Sequence, residues 1–224
     1  MKNHFLIVNF KTYVEGRGEK GVQLAKIADQ VAKEYSAQII LVPQIVDMGK
    51  IAEIVDIPVY SQHVDPYKAG NATGHIDASS LKEAGIQGTL LNHSEKRLEI
   101  TNIEAGNTIA KEYGLKTVIC AGTIGISHAV SAFNPWAVAM EPPELIGGDV
   151  SVTTKPEVVK DAVAAIKKGS PSTIPLTGAG VKTADHVKSA LEFGTFGVLL
   201  ASGIVKAKNP SEIIGDMAKI LVEY

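Results

Sequence analysis

Short apolar runs alternate with longer amphipathic stretches along this chain, and that alternation restricts the fold more than any other feature. Runs rich in β-branched residues fall at 5–10, 39–42, 59–62, 88–92, 117–120, 137–140, 174–177 and 197–201. Most are continuously apolar, as expected of parallel strands buried on both faces. Helical spacing fills the intervals, most clearly at 19–35, 102–113, 156–168, 183–193 and 210–224. The first of these keeps Val22, Ala25, Ile27, Ala28, Val31 and Ala32 on one stripe. Pro156 and Pro210 stand where a first helical turn tolerates proline. Thr183 and Ser211 offer capping oxygens, and Gly114 and Gly194 follow predicted helices where glycine ends a helix well. Such alternation means βαβ units around a parallel sheet. Eight strands, about eight helices and no linker between halves predict an α/β fold. The form expected is a closed (β/α)8 barrel, one domain over residues 1–224, with an open doubly wound sheet as the alternative. The unit after Cys120 is reduced, since only residues 121–133 separate two strands.

With 224 residues the chain can bury a core without disulfides or metals. Cys120 is its only cysteine, so no internal disulfide can form and a reducing cytoplasm is the expected location. The first residues run straight into a strand pattern with no signal peptide, and no apolar stretch reaches a membrane span's length. A net charge of −2 without a basic block argues against nucleic acid as a partner, and neither is a membrane expected. A small anionic ligand remains open, because a local pocket does not show in net charge.

In a parallel α/β sheet the chemistry gathers where strands end and βα loops begin. The residues at those ends are Asn9 and Lys11, Gln62, Asn92-His93-Ser94-Glu95, Glu141, Gly178-Ala179-Gly180 and Ala201-Ser202-Gly203. Glu141 follows an apolar strand, where low dielectric raises a carboxyl pKa and makes a better base. The segment after it, Pro142-Pro143-Glu144-Leu145-Ile146-Gly147-Gly148, has the composition of a stiff flap with flexible hinges. Asn9-Phe10-Lys11 in extended form would put an amide and a cation on one side. His93 precedes what reads as a helix start at Ser94-Glu95, whose N–H groups would hold the ring neutral. Neutral imidazole can still donate from its other nitrogen to a carbonyl. Nothing near His93 has zinc-ligand spacing, and His63, His75, His128 and His186 make no local cluster.

The segment Thr177-Gly178-Ala179-Gly180-Val181-Lys182-Thr183 lacks the third glycine of a dinucleotide fingerprint and the glycine a P-loop needs before Lys182. Gly178 and Gly180 instead let backbone N–H groups approach a ligand, and Ala201-Ser202-Gly203 repeats the device one strand later. Two such turns after the last two strands fit the recurrent phosphate site of these barrels. Nucleophilic catalysis finds no elbow motif and no partner beside Cys120. Residues alone therefore reach proton abstraction next to a carbonyl on a small phosphorylated substrate.

Taken in order, Asn9-Phe10-Lys11, Gln62, Thr73-Gly74-His75, Asn92-His93-Ser94-Glu95-Lys96-Arg97, Glu141 to Gly147, Thr177 to Gly180 and Leu199 to Gly203 carry a family resemblance. Across nearly its whole length the chain resembles the triosephosphate isomerase family in its short archaeal form. The resemblance implies interconversion of dihydroxyacetone phosphate and D-glyceraldehyde 3-phosphate through an enediol(ate), in glycolysis and gluconeogenesis, without cofactor or metal. It makes Glu141 the base, His93 the neutral electrophile, Lys11 the electrostatic stabiliser and Asn9 a donor to substrate oxygens. Backbone N–H groups of Ile146, Gly147, Gly180, Ala201 and Ser202 would grip the phosphate, with Glu95 and Gln62 in support.

The chain departs from the family pattern in three places. Pro143-Glu144 stands where most members carry an apolar residue and a tryptophan, Ala179-Gly180 and Ala201-Ser202 replace glycine-richer turns, and the chain is short. The short form implies a homotetramer, or at least a homodimer, built on an interdigitating loop at 65–77 from which Thr73 reaches the neighbouring subunit. The rival readings are another phosphosugar-handling barrel (a lyase or an epimerase) and a non-catalytic phosphate-binding barrel.

Overall fold

A computed structural model describes residues 4–142 and 151–224. Eight parallel strands form one sheet: β1 (Phe5–Asn9), β2 (Gln38–Val42), β3 (Tyr60–Ser61), β4 (Gly88–Leu91), β5 (Lys116–Ala121), β6 (Ala137–Met140), β7 (Ile174–Gly178) and β8 (Gly197–Leu200). The order β2-β1-β8-β7-β6-β5-β4-β3 is brought round by a parallel bridge between Leu41 and Val59, which closes the barrel. Every predicted strand is present, with no end shifted by more than one residue.

The helices are α1 (Gly18–Tyr35), α2 (Ile45–Ala52), α3 (Ala78–Glu83), α4 (Ile100–Glu112), α5 (Ile124–Ser131), α6 (Pro156–Gly169), α7 (Ala184–Glu192), α8 (Ser202–Val205) and α9 (Pro210–Glu223). Pro156 and Pro210 do open α6 and α9. Thr183 caps α7 by accepting the His186 amide. Ser211 does not cap α9: the cap position is Asn209, and Ser211 lies inside the helix. Gly114 and Gly194 take positive φ just past α4 and α7, where a side chain would be strained. The reduced unit after β5 keeps the eight-residue α5, packed closely on α6.

Side-chain alternation along the strands divides the core in two. Leu6 and Val8 face the helices while Ile7 faces the barrel interior, with Ile40, Leu90, Val118, Ala139, Leu176 and Leu199. The lower end of the interior is filled by aromatic rings: Trp136 packs edge-on against Phe5 at 5.0 Å and Tyr60 at 6.1 Å. Gly88 makes room for this plug, since a Cβ there would lie 2.6 Å from the Tyr60 ring. Near the upper end the same inward parity brings Ala137, Ala139 and then Glu141 to the interior face.

One buried charge in the helical layer escaped the hydrophobic pattern. Asp29 on α1 accepts the amides of Asp56 at 2.9 Å and Ile57 at 3.2 Å, and pairs with Lys33 at 2.6 Å. It thereby ties α1 to the chain entering β3. Burial opposes its charge, but the bonds from Lys33 and the two amides outweigh that and hold the carboxyl below the usual range. A depressed folded pKa means the stabilisation is present above the unfolded value and is lost as pH falls through the folded one. Asp29→Ala should therefore cost about 1–3 kcal/mol in denaturant unfolding at pH 7. The gap to the parent protein should narrow below about pH 4; a gap constant down to pH 2 would contradict this.

Candidate active site

Three strand exits at the upper rim leave their strands through left-handed backbone: Lys11 at φ 48°, Asn92 at φ 58° and Ala179 at φ 66°. Lys11 is therefore not the extended residue expected after Asn9 and Phe10. The chain turns there, and Asn9 Oδ1 accepts the Lys11 amide at 2.9 Å. Gln62 pins the turn from β3 by donating to the Lys11 carbonyl at 2.9 Å. Asn9 and Lys11 still line one cavity, reached by a bend instead of by alternation. Asn92 holds its own turn: its amide donates to the Cys120 carbonyl at 3.0 Å, and its Oδ1 accepts the Leu98 amide at 3.0 Å.

His93 follows, buried at 8% exposure. The helix expected at Ser94 is absent, since α4 begins only at Ile100. A tight turn takes its place, with the Lys96 amide donating to the His93 carbonyl at 2.7 Å. That turn still delivers one backbone donor to the ring: Glu95 N–H reaches His93 Nδ1 at 3.2 Å. An N–H can only donate, so Nδ1 is unprotonated and the ring's proton sits on Nε2. Burial lowers the His93 pKa most, the Lys11 charge lowers it further, and Glu95 partly opposes both. Desolvation thus replaces the helix dipole as the main reason for a neutral ring.

Glu141 closes the interior above Ala139. Its Oε2 lies 3.8 Å from His93 Nε2 and has no hydrogen-bond partner among the described residues. Burial pushes its pKa up to about 7, although the Cys120 thiol and the Lys11 ammonium favour the charged form; Glu95 adds a small push upward. The same burial and the facing carboxyl hold the Cys120 thiol well above its ordinary value, which keeps it inert. Gly178 has a task that its place in the sequence did not announce. It lies inside β7, and a Cβ there would sit 2.6 Å from Glu141 Oε1 and 2.5 Å from the Leu199 carbonyl. Its missing side chain makes room for the carboxylate.

Lys11 Nζ pairs with Glu95 at 2.6 Å, the lysine side chain largely buried and the glutamate half exposed. One cavity is lined by Asn9, Lys11, His93, Glu141, Gly180, Ala201 and Ser202, so every catalytic candidate and the last two small-residue turns converge. Tyr13, Val181 and Lys182 also line it and carried no signal in the sequence beyond adjacency to chosen residues. Gln62 and Glu95 stand behind Lys11 and border a neighbouring cavity of about 270 Å³. Ile146 and Gly147 lie outside the described residues.

The histidines expected to be scattered are less so. His63 and His75 approach Asp65 Oδ1 at 3.1 Å and 3.5 Å. Among the described residues, no group of three His, Cys, Asp or Glu is placed to hold a metal ion. No described helix is long and apolar enough to cross a membrane.

The family model described as Triosephosphate isomerase matches residues 4–217. A protein of Methanocaldococcus jannaschii named triosephosphate isomerase is 46% identical over 217 residues, covering 96% of this chain and 99% of that protein. Relatives of the same name from Methanosarcina mazei and Methanothermus fervidus are each 42% identical. They cover 99% and 97% of this chain, and 100% and 98% of their own lengths. Matched over this length and at this identity, the chain belongs to the triosephosphate isomerase family.

Proposed function

We infer that this chain is the aldose–ketose isomerase that interconverts dihydroxyacetone phosphate and D-glyceraldehyde 3-phosphate in glycolysis and gluconeogenesis. The observation that carries the reading is the pairing of Glu141 and His93 across one cavity, 3.8 Å apart, with Lys11 beside them. In this account Glu141 takes the carbon-bound proton and returns it to the neighbouring carbon. A carboxyl titrating near 7 is a base matched to neutral pH. Neutral His93 donates from Nε2 to the substrate oxygens, Asn9 donates beside it, and Lys11 stabilises the negative charge of the enediolate. Glu95 keeps the ammonium of Lys11 directed, and Gln62 holds its backbone.

The phosphate is assigned to backbone groups at Gly180, Ala201 and Ser202, with Ile146 and Gly147 as further donors. Ser202 opens α8, so its amide has no carbonyl one turn earlier to bond. No observation favours an epimerase, a lyase or a mere phosphate binder, and a binder has no use for a base. The mechanism asks for neither metal nor cofactor. Cys120 as the only cysteine supports a cytoplasmic location.

Self-association is part of the reading. The loop 65–77 is tied at its base, where Asp65 N–H bonds the Ile76 carbonyl at 2.8 Å and Asp65 Oδ2 accepts the Ile76 amide at 2.8 Å. Thr73 near its tip is exposed. The 270 Å³ cavity beside Lys11, Gln62 and Glu95 is flanked by Ile45, and Val46 next to it is 77% exposed. An arm from a second copy would cover apolar surface that is otherwise left to water. The assembly proposed is a homodimer exchanging this loop, paired into a homotetramer.

Three outcomes check the chemistry. Glu141→Gln keeps shape and removes basicity, so kcat should fall by ~10²–10⁴ or more; near-normal turnover in the folded variant would sink the base assignment. His93 should titrate below about 6.5 and be neutral at pH 7 in an NMR titration, and a cationic ring there refutes its role. Proline is tolerated at the first position of a helix. Here Ala201, at ψ −84°, is outside the extended region that proline asks of the residue before it, so Ser202→Pro should lose some stability as well as raise KM by removing an N–H, while Ser202→Ala should do little. Equal damage from both would make the hydroxyl the donor.

Assembly has its own check. Analytical ultracentrifugation at assay concentrations should find a dimer or larger species, and a fully active monomer overturns that part.

A further inference from the structure

The turn between β7 and α7 forms one wall of the cavity, through Ala179, Gly180, Val181 and Lys182. It is an awkward piece of backbone. Ala179 and Gly180 are consecutive left-handed residues, at φ 66° and 71°. An alanine there carries a steric cost that its surroundings must offset. One restraint comes from Val152, whose amide donates to the Ala179 carbonyl at 3.1 Å. Another is steric: Gly203, in α8 just after β8, lies so close that a Cβ there would sit 3.0 Å from Lys182 Cα, a tight contact. The two small-residue turns therefore press against each other.

The third restraint is a side chain that the catalytic account does not use. His186, in the first turn of α7, places Nδ1 3.2 Å from the Lys182 amide and accepts it. In return the His186 amide donates to Thr183 Oγ1 at 3.3 Å. This is the reciprocal arrangement of a capping box, with histidine where glutamate or glutamine usually stands and its reach extended by one residue. The effect is to fasten the end of the left-handed turn to the helix that follows. Because the amide can only donate, His186 carries its proton on Nε2.

We propose that His186 is a positioning residue for the substrate's phosphate: by accepting the Lys182 amide it holds the Ala179–Lys182 turn in place against the cavity. The inference rests on the phosphate reading above and deepens it. His186 touches no reacting atom, so its loss should weaken grip on the phosphate and leave proton transfer alone.

Three substitutions and two substrates separate the possibilities. His186→Phe keeps a ring and removes the acceptor; His186→Ala repeats the loss should Phe overcrowd the site; His186→Gln restores a neutral acceptor at the position where glutamine caps. With D-glyceraldehyde 3-phosphate, Phe or Ala should raise KM about five-fold, the size of one ordinary hydrogen bond, at nearly unchanged kcat. The inhibition constant of sulfate, a dianion throughout the assay range, should rise in parallel. With unphosphorylated D-glyceraldehyde, kcat/KM should not change, and Gln should restore the parent KM. The inference is overturned by any one of three results: an unchanged KM in the Phe and Ala variants, an equal loss with both substrates, or a Gln variant as defective as Phe. A parent protein that does not isomerise the phosphorylated triose would instead overturn the function proposed above.

Discussion

Everything at the upper rim depends on one carboxyl group kept out of water. Glu141 stands at the end of β6 with the inward parity of Ala137 and Ala139, above the buried Cys120 and beside a glycine that leaves it room. Ionising it there is costly: a rise from 4.5 to about 7 corresponds to roughly 3 kcal/mol of destabilised charge. The raised folded pKa means that this cost is absent in acid and grows as pH rises between those values. The fold therefore loses stability as this carboxyl ionises towards neutral pH. The barrel supplies the container, since strands buried on both faces give a rigid end at which Glu141 is only 6% exposed. Lys11 and Cys120 limit the penalty enough for the carboxylate to form near neutrality.

A second constraint runs through the exits of the strands. Lys11, Asn92 and Ala179 all leave in left-handed backbone, a conformation that costs non-glycine residues on the order of 1–3 kcal/mol each. Each is held by hydrogen bonds: Gln62 and Asn9 at Lys11, its own side chain at Asn92, Val152 at Ala179. These bends aim side chains into the cavity where a straight continuation would carry them past it. Regular strands fix the positions and strained exits fix the directions. The ion pair of Lys11 with Glu95 and the bond from the Glu95 amide to His93 then make both side chains depend on one residue.

Strands were legible in the sequence because burial on both faces writes a continuous apolar run, as at Ile39 to Val42 or Ala137 to Met140. Rim residues were legible because Lys11, His93 and Glu141 interrupt those runs with charge or polarity at the ends where chemistry collects. What stayed hidden depends on tertiary contact. The buried Asp29 reads as an ordinary helix acid until the amides of Asp56 and Ile57 are brought to it. The supposed helix at Ser94 is a turn, because Asn92 takes the Leu98 amide and pulls the segment tight. The room that Gly178 leaves for the Glu141 carboxylate shows only once β6 and β7 lie side by side. Short elements such as α8 are too brief to show a period at all.

The central claim is that burial, more than any charged neighbour, sets the basicity of Glu141. Direct titration of its carboxyl tests this, by ¹³C NMR of protein labelled at the glutamate side-chain carboxyl carbon, with Glu141→Gln identifying the resonance. The account predicts a midpoint near the value of about 7, set apart from the ordinary 4.5 of a solvated glutamate. A Glu141 carboxyl titrating at the ordinary value in the folded, ligand-free protein would contradict it.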